Sequence, residues 1–250
     1  MKKAAIVLLV LVGLLVAIDF GTAAAAEYQV SKRLRGHLAL PDDPAVRING
    51  FPFLTQAIAG DYRDVDVSAD RVTVAKLRNI GVEATLHHAR VPLSDLLSGS
   101  ADTIKVDEVV GRARIQVSEL GEVINVEDLR IEPVSDDQQT TTPPPDSGGT
   151  GPIKLVGTTE VLGQRTEVGI IGSLDLVDGQ IQVTANDIEI NGGPALPAFV
   201  RQGLLRGFTA RLDPGALPFN IVPTAIRTEN DTLVVEGIAK DVVLDANTVP

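Results

Sequence analysis

Three hydrophobic patterns succeed one another along the chain. Lys2 and Lys3 precede an unbroken apolar run from Ala4 to Ile18, which stops at Asp19. At about 15 residues this run is near the upper limit for the apolar part of an export signal, and short for a spanning helix of about 20. From Ala23 to Leu38 the period becomes helical. Ala23, Ala26, Val30, Leu34 and Leu38 recur every three or four positions, while Lys32, Arg33 and Arg35 point elsewhere. Pro41-Asp42-Asp43-Pro44 stops this helix, and Phe53 to Ala59, closed by Gly60, reads as a short second one.

Beyond Gly60 the period drops to two. Val65 and Val67 alternate with Asp64, Asp66 and Ser68; Val82, Ala84 and Leu86 with Glu83, Thr85 and His87; Ala113, Ile115 and Val117 with Arg112, Arg114 and Gln116. One-sided alternation belongs to antiparallel sheet with a wet face, not to parallel strands buried on both faces. Val91–Leu97 and Val117–Ile124 read as turns or helical pieces between strands. In the second half Leu174 and Leu176, then Ile181 and Val183, flank Asp178-Gly179, a strong hairpin signal. Pro197 to Phe208 is a helix candidate with its proline in the first turn, and Val200, Leu204 and Phe208 form its apolar line. A final hairpin joins Thr224–Thr228 to Leu233–Ala239 across Glu229-Asn230-Asp231.

Residues 135–152 interrupt this order. They hold no Val, Ile, Leu or aromatic residue, but carry Thr140-Thr141-Thr142-Pro143-Pro144-Pro145 and Gly148-Gly149. Such a segment buries too little apolar surface to offset its ordering entropy, so a disordered insert is expected. The domain plan is therefore an export signal or membrane anchor over 1–22, then one domain over 23–250 that carries the insert. Ala23 to Ala26 offer a cleavage site of the Ala-x-Ala kind, and they fit a continuing helix equally well. Cleaved or retained, the segment exports the rest of the chain and leaves the lysines on the cytoplasmic side.

Composition then narrows the classes. The mean hydropathy of +0.17 is positive, but the apolar run alone contributes about +0.2 to that average. The exported part is neutral in hydropathy. The net charge is −11, with 22 basic and 33 acidic residues, which argues against a nucleic-acid binder. Residues 1–134 hold 15 basic and 18 acidic residues, net −3; residues 135–250 hold 7 and 15, net −8. The later half is thus poorly suited to docking on anionic headgroups, and lipid contact there is expected to be apolar. With no cysteine, disulfides, thiolate metal sites and cysteine nucleophiles are all excluded.

Catalytic patterns are missing from the sequence. It has no Gly-x-Ser-x-Gly elbow, His-Glu-x-x-His helix or P-loop. His87 and His88 are adjacent in an expected strand, where they face opposite sides and do not chelate one metal. His37 ends a helix, a favourable place for a cation. Asp42-Asp43 and Asp136-Asp137 sit beside prolines and read as solvated acids, and Asn230-Asp231-Thr232 is a glycosylation sequon in form only. Neither a catalytic residue, a metal nor a cofactor is expected.

Phenylalanine is scarce, with 6 in the chain, and beyond the export segment its placement is local. Phe51 and Phe53 lie in Asn49-Gly50-Phe51-Pro52-Phe53-Leu54, Phe199 and Phe208 lie on the expected late helix, and Phe219 lies in Leu217-Pro218-Phe219-Asn220-Ile221. These residues anchor a dry core or line an apolar ligand cavity; sequence does not separate the two.

The block Ile48-Asn49-Gly50-Phe51-Pro52-Phe53-Leu54, continued by Ala59-Gly60-Asp61-Tyr62-Arg63-Asp64-Val65-Asp66-Val67, resembles the LmeA-like phospholipid-binding family of actinobacterial envelope proteins. The resemblance extends through Gly81-Val82, Val91-Pro92-Leu93-Ser94-Asp95-Leu96-Leu97, Leu196-Pro197 and Leu217-Pro218-Phe219, omitting residues 135–152. Asn220 departs from it, standing where the family more often has glycine, and the Pro/Thr-rich insert is longer than the family leads one to expect.

The resemblance implies an α+β fold in which a strongly curved antiparallel sheet wraps around helices, similar to tubular lipid-binding domains. It also implies an exported, non-enzymatic phospholipid binder at the outer face of the inner membrane, supporting assembly of mannan-type envelope glycolipids. Its partners would be phospholipid, the inner membrane and glycolipid-synthesis enzymes. Burying each acyl methylene is worth about 0.8 kcal/mol, so affinity would come from the chains. Phe51, Phe53, Leu54, Phe199, Leu204, Phe208 and Phe219 are the expected lining or gating positions. The rival expectation is a membrane-anchored structural or interaction protein with a dry β-rich core and no ligand.

Overall fold

The computed structural model describes residues 2–74, 77–92, 94–95, 103–124, 126–132, 152–161, 163–177, 180–190, 197–198, 201–202, 205, 210–212 and 221–245. It belongs to the α+β class, with an N-terminal helix and two antiparallel sheets. Helix α1 runs unbroken from Lys2 to His37, so the apolar run and the amphipathic stretch form one element. Strand β1 (Ala45–Asn49) and helix α2 (Phe53–Ala59) come next. Then come the long strands β2 (Asp61–Val74), β3 (Leu77–Arg90) and β4 (Thr103–Gln116). Helix α3 (Val117–Ile124) leads to β5 (Glu127–Glu132), β6 (Pro152–Val161), β7 (Gln164–Val177), β8 (Gln180–Ile190) and β9 (Ala210–Leu212). Strands β10 (Val222–Glu229) and β11 (Thr232–Asp245) complete the chain. The six-stranded sheet has the order β1-β2-β3-β4-β11-β10 and the five-stranded sheet the order β5-β6-β7-β8-β9.

The expected second helix has the expected limits. Gly60 closes it in the left-handed conformation (φ 68°), its N–H directed at the carbonyls of Gln56 and Ala57; a side chain there would be strained. The registers pair Val177 with Gln180, Asp178-Gly179 lying outside the described residues, and Glu229 with Thr232 around the two-residue turn Asn230-Asp231. Val161 also pairs with Gln164, where the sequence carries a less clear turn signal. Strand β6 begins at Pro152, the last residue of the expected insert; the rest of that segment, 135–151, lies outside the described residues.

The chain divides into two compact units: residues 1–71, 83–110 and 239–250 form the first, residues 72–82 and 111–238 the second. In the second unit Ile153, Leu174 and Ile226 form a buried cluster, with Leu155, Leu176, Leu233 and Val235 packed on it. Ile153 and Leu174 come from β6 and β7, Ile226 from β10, so apolar faces of the two sheets meet there. A second cluster joins Val117, Val126 and Leu129 under α3. Asp231 ties this region together: its carbonyl accepts from the Val117 N–H at 2.9 Å and its carboxylate from the Ile131 N–H at 2.8 Å. The sequon-like turn is thus a structural joint.

Candidate functional site

In the first unit, the block that carries the family resemblance folds against α1. The least exposed stripe of α1 runs through Asp19 and Ser31, which are buried, and Ala23, Ala26, Glu27, Val30 and Leu34, which are half-buried; it follows the face expected from the helical period except at Leu38, which is exposed. Three polar side chains on this stripe bond to the segment beyond it. Asp19 accepts from the Phe53 N–H through Oδ2 and from the Leu54 N–H through Oδ1, each at 2.8 Å. Glu27 accepts from the Ile48 N–H at 2.8 Å, and the Ser31 hydroxyl donates to the Pro44 carbonyl at 2.6 Å.

The first of these contacts explains how α2 starts. Its N-cap position is Pro52, which offers no capping side chain. The open N–H groups of the first turn instead receive a carboxylate from 34 residues earlier, and negative charge is favourable at that end. Asp19 is 5% exposed, yet both of its oxygens are occupied. Gln56, also buried, continues the network: its amide donates to the carbonyls of Asn49 and Gly50 and accepts from the Arg63 N–H. One side chain thereby joins β1, α2 and β2.

The phenylalanines in this block have different environments. Phe53 is buried and packs on Tyr62, with ring centroids 6.2 Å apart. Phe51 is 56% exposed and stacks on Phe20 of α1 at 6.0 Å. Leu54 is half-buried. The Phe51–Pro52 peptide bond is cis. Phe199, Leu204, Phe208 and Phe219, together with Asn220, lie outside the described residues. Of the expected late helix, Ala198, Arg201, Gln202 and Leu205 are helical.

Asp19, Phe20, Gln56 and Tyr62 were not among the expected lining or gating positions. A signal for Asp19 was present, since an acid placed directly after an apolar run needs partners. Tyr62 stands in the Ala59-Gly60-Asp61-Tyr62 stretch that carries the resemblance, but no local pattern marks its ring as a buried partner of Phe53. Its ring is buried and its hydroxyl has no hydrogen-bond partner among the described residues; burial pushes the phenol above its ordinary pKa.

The polar surface of the unit is arranged in pairs. His87 meets Asp64 at 2.5 Å and His88 meets Asp61 at 3.1 Å, each histidine with its own carboxylate. Asp43 takes Lys32 at 2.6 Å and Arg35 at 3.3 Å. The Lys32 hydrogen bond holds the Asp43 carboxyl below its ordinary range and raises the lysine in turn. Among the described residues, no three histidine or carboxylate side chains gather in a way that could hold a metal ion.

Searches of curated proteins and of solved structures gave no match. A family model, described as LmeA-like phospholipid-binding, matches residues 17–238. The match begins within the apolar run, includes Asp19 and its partners on α2, and extends across both compact units; the chain belongs to the LmeA-like phospholipid-binding family.

Proposed function

We propose that this protein is an exported, non-enzymatic phospholipid carrier, held at the outer face of the inner membrane by an uncleaved α1. It shields acyl chains in an apolar groove and supports envelope glycolipid assembly together with the enzymes of that synthesis. The family match carries the lipid-binding part. Retention of α1 is supported by Asp19: cleavage after Ala26 would remove the cap of α2 and leave the Phe53 and Leu54 N–H groups without their carboxylate. Lys2 and Lys3 remain cytoplasmic.

Phe51, Phe53, Leu54, Phe199, Leu204, Phe208 and Phe219 line or gate the groove in this reading. The Tyr62 hydroxyl, buried beside Phe53, supplies a donor for an ester or phosphate oxygen. Affinity follows chain length at about 0.8 kcal/mol per buried methylene. The dry-core alternative has one observation in its favour, the side-chain-filled cluster around Ile226 in the second unit.

Photocrosslinking decides between them. The full chain is reconstituted in vesicles containing a phospholipid with a diazirine in its acyl chain, and the adducts are mapped by mass spectrometry. The carrier reading expects adducts on the folded units as well as on α1. Adducts confined to residues 4–26 and to the adjoining turn and helix at 50–58 would leave an anchored protein with a dry interior.

A further inference from the structure

Between Lys3 and Glu27 the one ionisable side chain is Asp19, and backbone N–H groups occupy both its oxygens. The hydroxyl of Thr22 donates to the Ile18 and Asp19 carbonyls, each at 2.9 Å. Every polar side chain from Ala4 to Ala26 is therefore satisfied inside the protein, which is what a hydrocarbon surrounding demands. The strictly apolar part, Ala4 to Ile18, covers only about 22 Å at 1.5 Å per residue, against a hydrocarbon thickness of about 30 Å. Extending the helix to Ala26 gives about 34 Å, which is sufficient. A bilayer spanned by α1 thus reaches past Asp19, and whatever is bonded to Asp19 is drawn to the level of the membrane.

The group bonded there is the turn into α2, and its outward side is apolar. Phe20 is 64% exposed, Phe51 is 56% exposed, and the two rings stack. Ile58, 80% exposed, lies one turn beyond Leu54 on the same flank of α2. In water three large apolar side chains this open would be costly. Charge begins along α1 with Glu27 and the Lys32–Arg35–Asp43 cluster, and past the end of α2 with the Asp61–His88 pair.

We infer that the Phe20–Phe51 pair and the outer flank of α2 form a membrane-seated foot, immersed at the acyl-chain boundary of the outer leaflet. The occupant of this surface is the bilayer that α1 crosses, not a protein partner, because the Phe20–Phe51 stack makes the apolar surface continuous with the spanning helix. The foot rests on the retained-anchor reading. It places the family's Gly-Phe-Pro-Phe-Leu block, here Gly50 to Leu54, at the lipid surface itself.

The chain contains no tryptophan, so single tryptophans report depth without background. Phe51→Trp, Ile58→Trp, Leu11→Trp in α1 and Val177→Trp on β7 are each made in the full chain. All are reconstituted in phosphatidylcholine–phosphatidylglycerol vesicles with or without chain-brominated phosphatidylcholine. The expected result is emission reduced about twofold or more at positions 51, 58 and 11, with position 177 nearly unaffected. The foot is overturned if positions 51 and 58 behave like 177 while 11 is quenched. Loss of quenching at position 11 would instead overturn the anchor, and the foot with it. Should Phe51→Trp disturb the turn, Ile58→Trp carries the test alone, since that side chain is largely free of the protein.

Discussion

Replacing Asp19 by alanine removes the acceptor from two backbone N–H groups at once, in a helix whose own N-cap residue is a proline. Lost caps typically cost 0.5–2 kcal/mol, and hydrogen bonds to charged groups about 1.5–3, so a local loss of about 2–4 kcal/mol is expected. By hydrogen exchange of the Phe53–Ala59 segment in the full chain, 2 kcal/mol corresponds to about thirtyfold faster exchange. Asp19→Asn, which keeps one acceptor oxygen, should lose roughly half as much free energy. Unchanged exchange in the alanine variant would mean that α2 is held by its buried face alone. The acid itself was visible in the sequence as the residue that ends the apolar run. Its partners were not, because a cap supplied from 34 residues away leaves no local pattern.

Among the strands, spacing between chains decides which glycines tolerate a side chain. Gly172 sits where the β7–β8 register shifts, and a Cβ there would stand 2.3 Å from the Thr184 carbonyl oxygen, a backbone atom with little freedom to move. A Cβ at Gly169 in the same strand meets the end of the Lys154 side chain at 2.9 Å, a flexible group that can shift at some cost to its ion pair with Glu189. Gly172→Ala is therefore expected to destabilise by about 1–3 kcal/mol and Gly169→Ala by under about 1. Thermal unfolding of the two variants side by side checks the order, and equal losses would contradict it. At this scale the sequence was informative where period and turn chemistry agree. The α2 limits, the Val117–Ile124 helix and the Asn230-Asp231 turn arise from local signals. The β5–β6 pairing carried no such signal, since its partners flank an apolar-free stretch.

For the molecule as a whole, that stretch gives a direct test. Glu132 pairs with Lys154, so the chain leaves and returns at neighbouring positions. Deleting 136–151 would leave three residues, 133–135, between β5 and β6, a workable hairpin connection. Shortening the loop lowers its closure entropy, so stability should stay the same or rise by about 1–2 kcal/mol. Denaturant unfolding measures this, and a loss of several kcal/mol would mean that the segment is packed.

An N-terminal signal or anchor, the antiparallel α+β class and the family were determined by the sequence itself, because each rests on local order: an apolar run behind two lysines, period-two alternation, and a Gly-Phe-Pro-Phe-Leu block. The tertiary structure decided how these pieces are used. It merged the apolar run and the amphipathic stretch into one helix, distributed the strands between two sheets, and turned Asp19 from a helix-run terminator into the cap of another helix. Phe53 became a buried partner of Tyr62, while Phe51, two residues earlier, remained open on Phe20. Hydrophobicity along a chain reports which residues leave water, but which other residues they meet depends on contacts remote in sequence.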